Sequence, residues 1–166
     1  MRLIPFLLLL FILYSCSGPD RKPEKTGKEG TAIPSFELLL TDSITHVNVA
    51  AAPAGKPVVL FFFGPQCPYS HAEMEMIIKN ESKLKDIQFY IFSSPPFQLM
   101  KAFSEYFKLN KYSNLTIGMD SENYFLKYFN TSGVPYTAIY GKDGKLKEAY
   151  LGQIDVKHIT RAIEKK

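Results

Sequence analysis

Along most of the chain, short apolar runs typical of strands alternate with stretches in which apolar residues have the spacing of a helix. These two patterns define the predicted strands and helices. The run Pro57–Phe63 is continuously apolar and rich in β-branched and aromatic residues, which is typical of a central strand covered on both faces. Shorter strands are predicted at Phe36–Leu40, Ile44–Val49, Ile87–Phe92, Leu115–Met119, Tyr136–Tyr140 and Leu146–Leu151. Helices are predicted at Pro68–Leu84, Pro96–Leu109, Ser121–Phe129 and from the expected cap Asp155 onward. This alternation predicts an α/β domain with a mixed sheet.

The first 15 residues have the pattern of a secretory signal peptide. Arg2 supplies a positive start, and the apolar run Leu3–Leu13 is shorter than the roughly 20 residues of a membrane-spanning helix. The run ends in Leu13-Tyr14-Ser15-Cys16, which resembles the lipobox of bacterial lipoproteins. That resemblance implies cleavage before Cys16 and a diacylglycerol on its sulfur. An ordinary signal peptide followed by a chance cysteine is the alternative.

The next stretch, Ser17–Thr31, is polar, contains proline and glycine, and has no large apolar residue. This composition is typical of a flexible tether. We therefore expect a signal peptide at 1–15, a lipidated cysteine and tether at 16–31, and a globular domain at 32–166. Acyl chains on Cys16 would anchor the domain to a membrane of the bacterial cell envelope, in the periplasm or at the cell surface.

Charge and cysteine content exclude several classes of function. Lysine and arginine total 20 against 16 acidic residues, and no basic run is interleaved with aromatic residues, so nucleic-acid binding is not expected. Two cysteines are too few for a disulfide-rich scaffold or a cysteine-based zinc cluster. No cofactor or resident metal is predicted. The candidate chemistry therefore depends on Cys67, the thiol that remains when Cys16 carries lipid.

Cys67 lies between the predicted central strand and the helix that Pro68 opens. Proline suits the first turn of a helix, where its missing N–H group would have no partner. A sulfur at this place experiences the positive end of the helix dipole and the unpaired N–H groups, which stabilise the nucleophilic thiolate. The position favours a reactive or formerly reactive thiol, with an inert buried cysteine as the alternative.

Two segments carry a family resemblance. Phe62–Ser70 resembles the active-site segment of thioredoxin-like proteins, with Cys-Pro-Tyr-Ser where the family usually has Cys-x-x-Cys. Gly133–Thr137 resembles the family's cis-proline loop, and a cis bond is physically reasonable there because X–Pro bonds adopt it at low cost. The resemblance implies that Pro135 faces the sulfur of Cys67.

Further likenesses narrow the resemblance to one part of that superfamily. Ile33–Leu38 and Gly55–Val59 resemble the entry to the TlpA/ResA-like and redoxin branch, and Glu73 is similar to an acidic residue of that branch. The resemblance spans about Ala32 to Lys166. It implies a thioredoxin-like fold, with a central mixed β-sheet flanked by helices and an N-terminal strand extension.

The chain departs from this family at three positions. Ser70 stands where the second cysteine is expected, Gln66 stands at the usual tryptophan, and Phe61 stands where thioredoxin keeps a buried carboxylate. With Cys16 lipidated, an intramolecular dithiol cycle is impossible. The resemblance and the departures together predict monothiol exchange, in which Cys67 forms a mixed disulfide that an external thiol resolves.

The positions of His71 and Ser70 one turn after Cys67 indicate roles in this chemistry. His71 would stabilise the thiolate when protonated or relay a proton, and Ser70 would donate a hydrogen bond to it. A solvent-facing histidine and an ordinary first-turn serine are the alternatives. The residues expected to shape the substrate groove are Pro68, Tyr69, Val134 and Pro135. The expected partners are a protein disulfide or thiol substrate, an external thiol reductant, and the membrane through Cys16.

Three other functions remain open. A redox-inactive module would use the same groove to hold an extended peptide. A peroxidase of the peroxiredoxin type would need proline and threonine where this chain has Leu60 and Gly64. Cys67, His71 and Met74 share a helix face at i, i+4 and i+7, a donor set that suits Cu(I), although Met74 also fits the core-facing stripe of the helix.

Overall fold

A computed structural model describes residues 21–165. The predicted signal peptide and the predicted lipidation site Cys16 lie outside the described residues. The strands are β1 (Glu37–Leu40), β2 (His46–Asn48), β3 (Val58–Phe62), β4 (Gln88–Ser93), β5 (Leu115–Met119), β6 (Tyr136–Tyr140) and β7 (Leu146–Leu151). The α-helices are α1 (Pro68–Lys79), α2 (Glu81–Leu84), α3 (Phe97–Phe107), α4 (Tyr124–Phe129) and α5 (Val156–Glu164). Short 3₁₀ turns occur at Val49–Ala51 and Leu109–Lys111.

The strands form one mixed sheet in the order β2-β1-β5-β4-β3-β6-β7. Strand β3 is central, as predicted: it pairs in parallel with β4 and antiparallel with β6, and all five of its residues are buried. Strands β1 and β2 form an antiparallel hairpin that joins the sheet along β5. This hairpin is the predicted N-terminal strand extension.

Alternate side chains of β3 enter two separate hydrophobic cores because successive side chains of a strand point to opposite faces. Val59 and Phe61 lie in the core that α1, α3 and α5 cover, whereas Leu60 and Phe62 lie in the core on the opposite face. Helix α4 contributes Phe125 to that second core. The sheet is therefore covered on both sides, and the end of β3 that leads to Cys67 is buried between the two cores.

Two helices differ from their predicted extents for local reasons. The helix predicted over 68–84 breaks at Asn80, whose backbone leaves the helical region (φ −111°, ψ 20°) and separates α1 from α2. Helix α4 begins at Tyr124 rather than Ser121, because the buried Asp120 carboxylate accepts hydrogen bonds from the N–H groups of Tyr124 (3.0 Å) and Phe125 (2.8 Å). Hydrogen bonds of this kind satisfy the free donors of a helix start.

The chain before β1 lies against the domain. Backbone N–H groups of Glu24 and Gly30 donate to Ala149 O and Leu146 O of β7, each at 2.8 Å, and Leu146 N donates to Thr31 O at 2.9 Å. The outer side of β7 is a sheet edge with unpaired backbone groups, which explains why a polar segment docks there. Residues 21–31 thus differ from the flexible tether predicted for Ser17–Thr31. The rest of that stretch, 17–20, lies outside the described residues.

Within the described range 21–165, no helix combines the length and the apolar character needed to cross a membrane.

Candidate functional site

Cys67 occupies the position immediately before α1, with extended backbone (φ −83°, ψ 119°) and Pro68 as the first helical residue. The short loop from β3 is closed by a hydrogen bond from Cys67 N to Gly64 O at 2.9 Å, and Cys67 O accepts from His71 N at 3.1 Å. The Cys67 side chain is half-buried and free of any disulfide. The fold thus presents this sulfur at the amino end of a 12-residue helix, where helix geometry favours an anion.

The sulfur faces the loop before β6. Cys67 Sγ lies 3.7 Å from the carbonyl oxygen of Val134, and the peptide bond between Val134 and Pro135 is cis. Pro135 itself is buried, and Val134 is half-buried beside the thiol. The structure therefore brings together Cys67, Val134 and Pro135, three of the residues predicted for the site.

Ser70 is fully buried in the first turn of α1, and its Oγ accepts a hydrogen bond from Gly64 N at 3.1 Å. This contact joins the helix to the loop that carries Cys67. The hydroxyl accepts in this bond, so its own proton remains available for donation. Donation to the Cys67 thiolate stays a prediction.

His71 turns its ring toward the loop. Its Nε2 lies 2.8 Å from Pro65 O, and because a carbonyl can only accept, Nε2 carries the proton. The ring packs against Phe103, with centroids 5.0 Å apart, and against Phe107, with centroids 5.3 Å apart. In this arrangement His71 supports the loop before Cys67, and its role in proton relay stays a prediction.

Two exposed tyrosines lie near the site, Tyr69 close to Cys67 in the chain and Tyr106 beside His71. Tyr69, two residues after Cys67, is 64% exposed, and Tyr106 of α3 is 68% exposed. The ring of Tyr106 lies 5.7 Å from the ring of His71, centroid to centroid. Sequence reasoning placed Tyr69 in the groove but missed Tyr106, because only the packing of α3 against α1 brings it near.

Glu73 places a buried carboxylate beneath the site. Its Oε1 accepts from the hydroxyl of Thr137 at 2.6 Å, and its Oε2 accepts from the N–H of Ile154 at 3.1 Å. Burial raises the pKa of Glu73 to about 8, and these hydrogen bonds and the charge of Arg21 oppose the rise only in part. Thioredoxin's carboxylate position in β3 is occupied by Phe61, so the buried acid of this chain comes from α1 instead. Its sequence signal was an acidic residue beside the apolar stripe of that helix.

Met74 does not line the opening beside Cys67. Its side chain is fully buried in the core under α1, together with Ile77. No cluster of three or more histidine, cysteine or acidic side chains is placed to hold a metal ion within residues 21–165.

Gly64 is required for close approach between the two loops of the site. A Cβ atom added there would lie 2.7 Å from Val134 Cγ2 and 3.1 Å from Cys67 Cβ. We expect Gly64→Ala to lower the free energy of unfolding by about 1–3 kcal/mol, as overpacking does in a filled site. Urea denaturation checks this. Adding Val134→Ala should recover most of the loss by removing Cγ2, and a double variant less stable than Gly64→Ala would contradict the steric explanation.

Comparison with known proteins identifies the family. The model of the thioredoxin-like domain matches residues 46–166, so this chain belongs to the thioredoxin-like family. The predicted fold, a central mixed sheet flanked by helices, is confirmed. No curated protein sequence matches the chain.

Solved structures share the fold at low sequence identity. A secreted Mycobacterium tuberculosis disulfide oxidoreductase homologous to E. coli DsbE has 19% identity and a TM-score of 0.63, over 77% of this chain and 93% of that chain. StoA from Bacillus subtilis has 16% identity and a TM-score of 0.59, over 80% and 99%. The thioredoxin domain of a thiol-disulfide oxidoreductase from Bacteroides vulgatus has 18% identity and a TM-score of 0.62, over 82% and 95%. These neighbours share the thioredoxin-like fold of this chain.

Proposed function

We propose that this protein performs thiol–disulfide exchange through Cys67 alone, from a lipid anchor at Cys16 in a bacterial cell envelope. The observation that carries the proposal is the position of the sulfur. Cys67 Sγ is accessible at the start of α1 and lies 3.7 Å from Val134 O, beside the cis peptide bond to Pro135. The proposed nucleophile thus lies beside the loop that is proposed to bind the substrate.

The reaction proceeds by two exchanges. The Cys67 thiolate attacks one sulfur of a substrate disulfide, forming a mixed disulfide and releasing the other substrate sulfur as a thiolate. An external thiol then attacks the substrate sulfur of the mixed disulfide. This second step returns the Cys67 thiolate and leaves the external thiol joined to the substrate. No second protein thiol is needed, which fits the serine at position 70.

The groove orients the substrate. An extended substrate segment is expected to run along the backbone of Val134, which brings its disulfide to the adjacent sulfur. Pro68 begins the helix on one side of the sulfur, and the half-buried Val134 forms the opposite side. Tyr69, exposed at the rim, offers an apolar ring to the substrate chain.

A second candidate is a redox-inactive peptide-binding module with the same groove. The observation that favours it is the contact of Ser70, whose hydroxyl accepts from Gly64 N and holds the loop in place of a second thiol. In that case the groove binds an extended chain without forming a covalent bond to it.

Replacement of Cys67 by serine separates the two candidates. We expect Cys67→Ser to lower the rate of exchange about 100-fold or more, because a hydroxyl is a far weaker nucleophile than a thiolate at neutral pH. The assay follows a glutathione-capped peptide disulfide in the presence of reduced glutathione, with a soluble form of the protein that begins at Ser17. Mass spectrometry detects the mixed disulfide on Cys67.

Thermal unfolding of the Cys67→Ser variant serves as the control for folding. Equal activity in the folded variant would contradict the thiol mechanism. Peptide binding without any mixed disulfide in the unsubstituted protein would establish the redox-inactive candidate instead.

A further inference from the structure

Arg21 is bound at one place on the domain, formed by residues 151–153 and called here the Arg21 seat. The guanidinium of Arg21 donates from Nε to Gln153 O and from one Nη to Leu151 O, each at 3.0 Å. Gly152, between these two residues, has φ +85°, and a Cβ atom there would lie 2.7 Å from Arg21 Cζ. A side chain at position 152 would therefore collide with the guanidinium, and the seat depends on this glycine.

The seat of Arg21 adjoins the Cys67 groove. Gly152 N donates to Pro135 O at 2.7 Å, and a Cβ atom added to Gly133 would lie 2.5 Å from Leu151 Cδ1. The loop 133–135 thus touches the seat on one side and places Val134 O 3.7 Å from Cys67 Sγ on the other. Arg21 and Cys67 are at the same end of the sheet.

The opposite end of the sheet is well defined. Phe62, next to the active-site loop, pairs with Tyr136 at the start of β6, whereas Val58 pairs with Tyr140 at its end. The hairpin turn 141–144 follows Tyr140, so Lys142 in that turn lies at the end far from Cys67.

The spacing between Cys16 and Arg21 limits how far the lipid can be from this end. Four residues lie between them, so five Cα–Cα steps separate the two residues, and a chain of that length spans at most about 18 Å. The described chain therefore begins at the Cys67 end, and its link to the proposed lipid anchor at Cys16 is short.

The surface at the Cys67 end suits a membrane–water interface. Tyr69 and Tyr106 are its exposed aromatic side chains, at 64% and 68% exposure. Tyrosine is enriched at such interfaces because its ring is apolar and its hydroxyl remains hydrated.

We propose that the Arg21 seat turns the Cys67 end of the domain toward the lipid surface in which Cys16 is anchored. The substrate is then a disulfide or thiol of a protein held at that surface. This inference rests on the proposed function and deepens it: the exchange steps are those given above, and the substrate class is added. Arg21 acts as a positioning residue.

Orientation is tested without any thiol chemistry. The lipidated chain is placed in phosphatidylcholine vesicles that contain a nitroxide-headgroup lipid. Because the chain has no tryptophan, Tyr106→Trp and Lys142→Trp each provide a single fluorescent reporter, one at each end of the sheet. We expect quenching in Tyr106→Trp to exceed that in Lys142→Trp by at least about threefold, since only the first reporter approaches the headgroups.

Arg21→Ala should bring the two quenching levels together, because the tether then no longer fixes the domain. Lys22→Ala, which removes the adjacent exposed positive charge, is the matched control and should leave the difference intact. Equal quenching of the two reporters, or a difference that persists in Arg21→Ala, overturns the proposed orientation.

The substrate class is tested with two disulfide reagents. One is a pyridyl disulfide attached to a phosphatidylethanolamine headgroup, and the other is soluble 4,4′-dithiodipyridine; both release a chromophoric thione when Cys67 attacks. We expect Arg21→Ala to lower the ratio of lipid-borne to soluble rates about fivefold, since anchoring raises the effective concentration of the membrane reagent at the thiol. An unchanged ratio overturns the substrate class alone. Failure of Cys67 to react with the soluble reagent overturns the proposed function and, with it, the substrate class. The orientation of the domain is still decided by the quenching measurement.

Discussion

Ser70→Cys is expected to shorten the lifetime of a mixed disulfide on Cys67 by about tenfold or more in the absence of external thiol. Ser70 lies three residues after Cys67 in the first turn of α1, and residues at this spacing share a helix face. A thiol at this position attacks within the same molecule, and such attack is faster than a bimolecular reaction with a dilute thiol. The mixed disulfide is prepared on Cys67, and its decay is followed by mass spectrometry.

The matched control is Ser82→Cys, which adds a second thiol on the exposed surface of α2, beyond the far end of α1. It supplies the same chemical group without placing it near Cys67. If Ser70→Cys lost its mixed disulfide no faster than Ser82→Cys, the view that Ser70 makes this protein a monothiol would be wrong.

The second large effect concerns Glu73 and pH. The unfolded chain releases the Glu73 proton near the ordinary pKa of 4.5, whereas burial raises the pKa of Glu73 in the folded protein to about 8. Between these two values the folded state binds one more proton than the unfolded state. The free energy of unfolding therefore falls as the pH rises through this window, by up to about 5 kcal/mol from this group alone.

Glu73→Gln is expected to remove that part of the pH dependence. The amide keeps a hydrogen bond to each partner, because its oxygen accepts from Ile154 N–H and its NH2 group donates to the Thr137 hydroxyl, as a protonated carboxyl does. The stability of the variant should therefore change far less between pH 4.5 and pH 8 than that of the unsubstituted protein. Urea unfolding at several pH values gives the slope of the free energy of unfolding against pH for the variant and for the unsubstituted protein.

Glu75→Gln is the control for this measurement, because Glu75 lies on the same helix but is exposed to solvent. Its free energy of unfolding should change with pH as steeply as that of the unsubstituted protein. If Glu73→Gln and Glu75→Gln had the same slope, the titrating carboxyl would not be Glu73.

The order of strands and helices was predictable from local patterns. Strand β5 matches its predicted range Leu115–Met119 residue for residue, and the continuously apolar run Pro57–Phe63 contains the central strand β3. Both predictions depend only on the spacing and type of side chains within a few residues. Helix ends were less predictable: the start of α4 is fixed by the Asp120 carboxylate, which accepts from backbone N–H groups of the helix.

The candidate site was predictable in part. The resemblance of Cys67–Ser70 and Gly133–Thr137 to two family motifs predicted that the thiol and the proline loop lie together. It did not show that His71 turns its Nε2–H to Pro65 O. It also did not show that Tyr106 lies beside His71, since the two residues are 35 positions apart along the chain.

By itself, the sequence determined the family, the central strand and the place of Cys67 at the start of a helix, because each of these is encoded in residues close together along the chain. Only the tertiary structure decided that Arg21 docks beside Gly152 and that Glu73 is buried against Thr137 and Ile154. Docking depends on which carbonyl groups remain unpaired near the sheet edge, and burial depends on the contact of Glu73 in α1 with Thr137 in β6. Neither property exists until distant segments pack together.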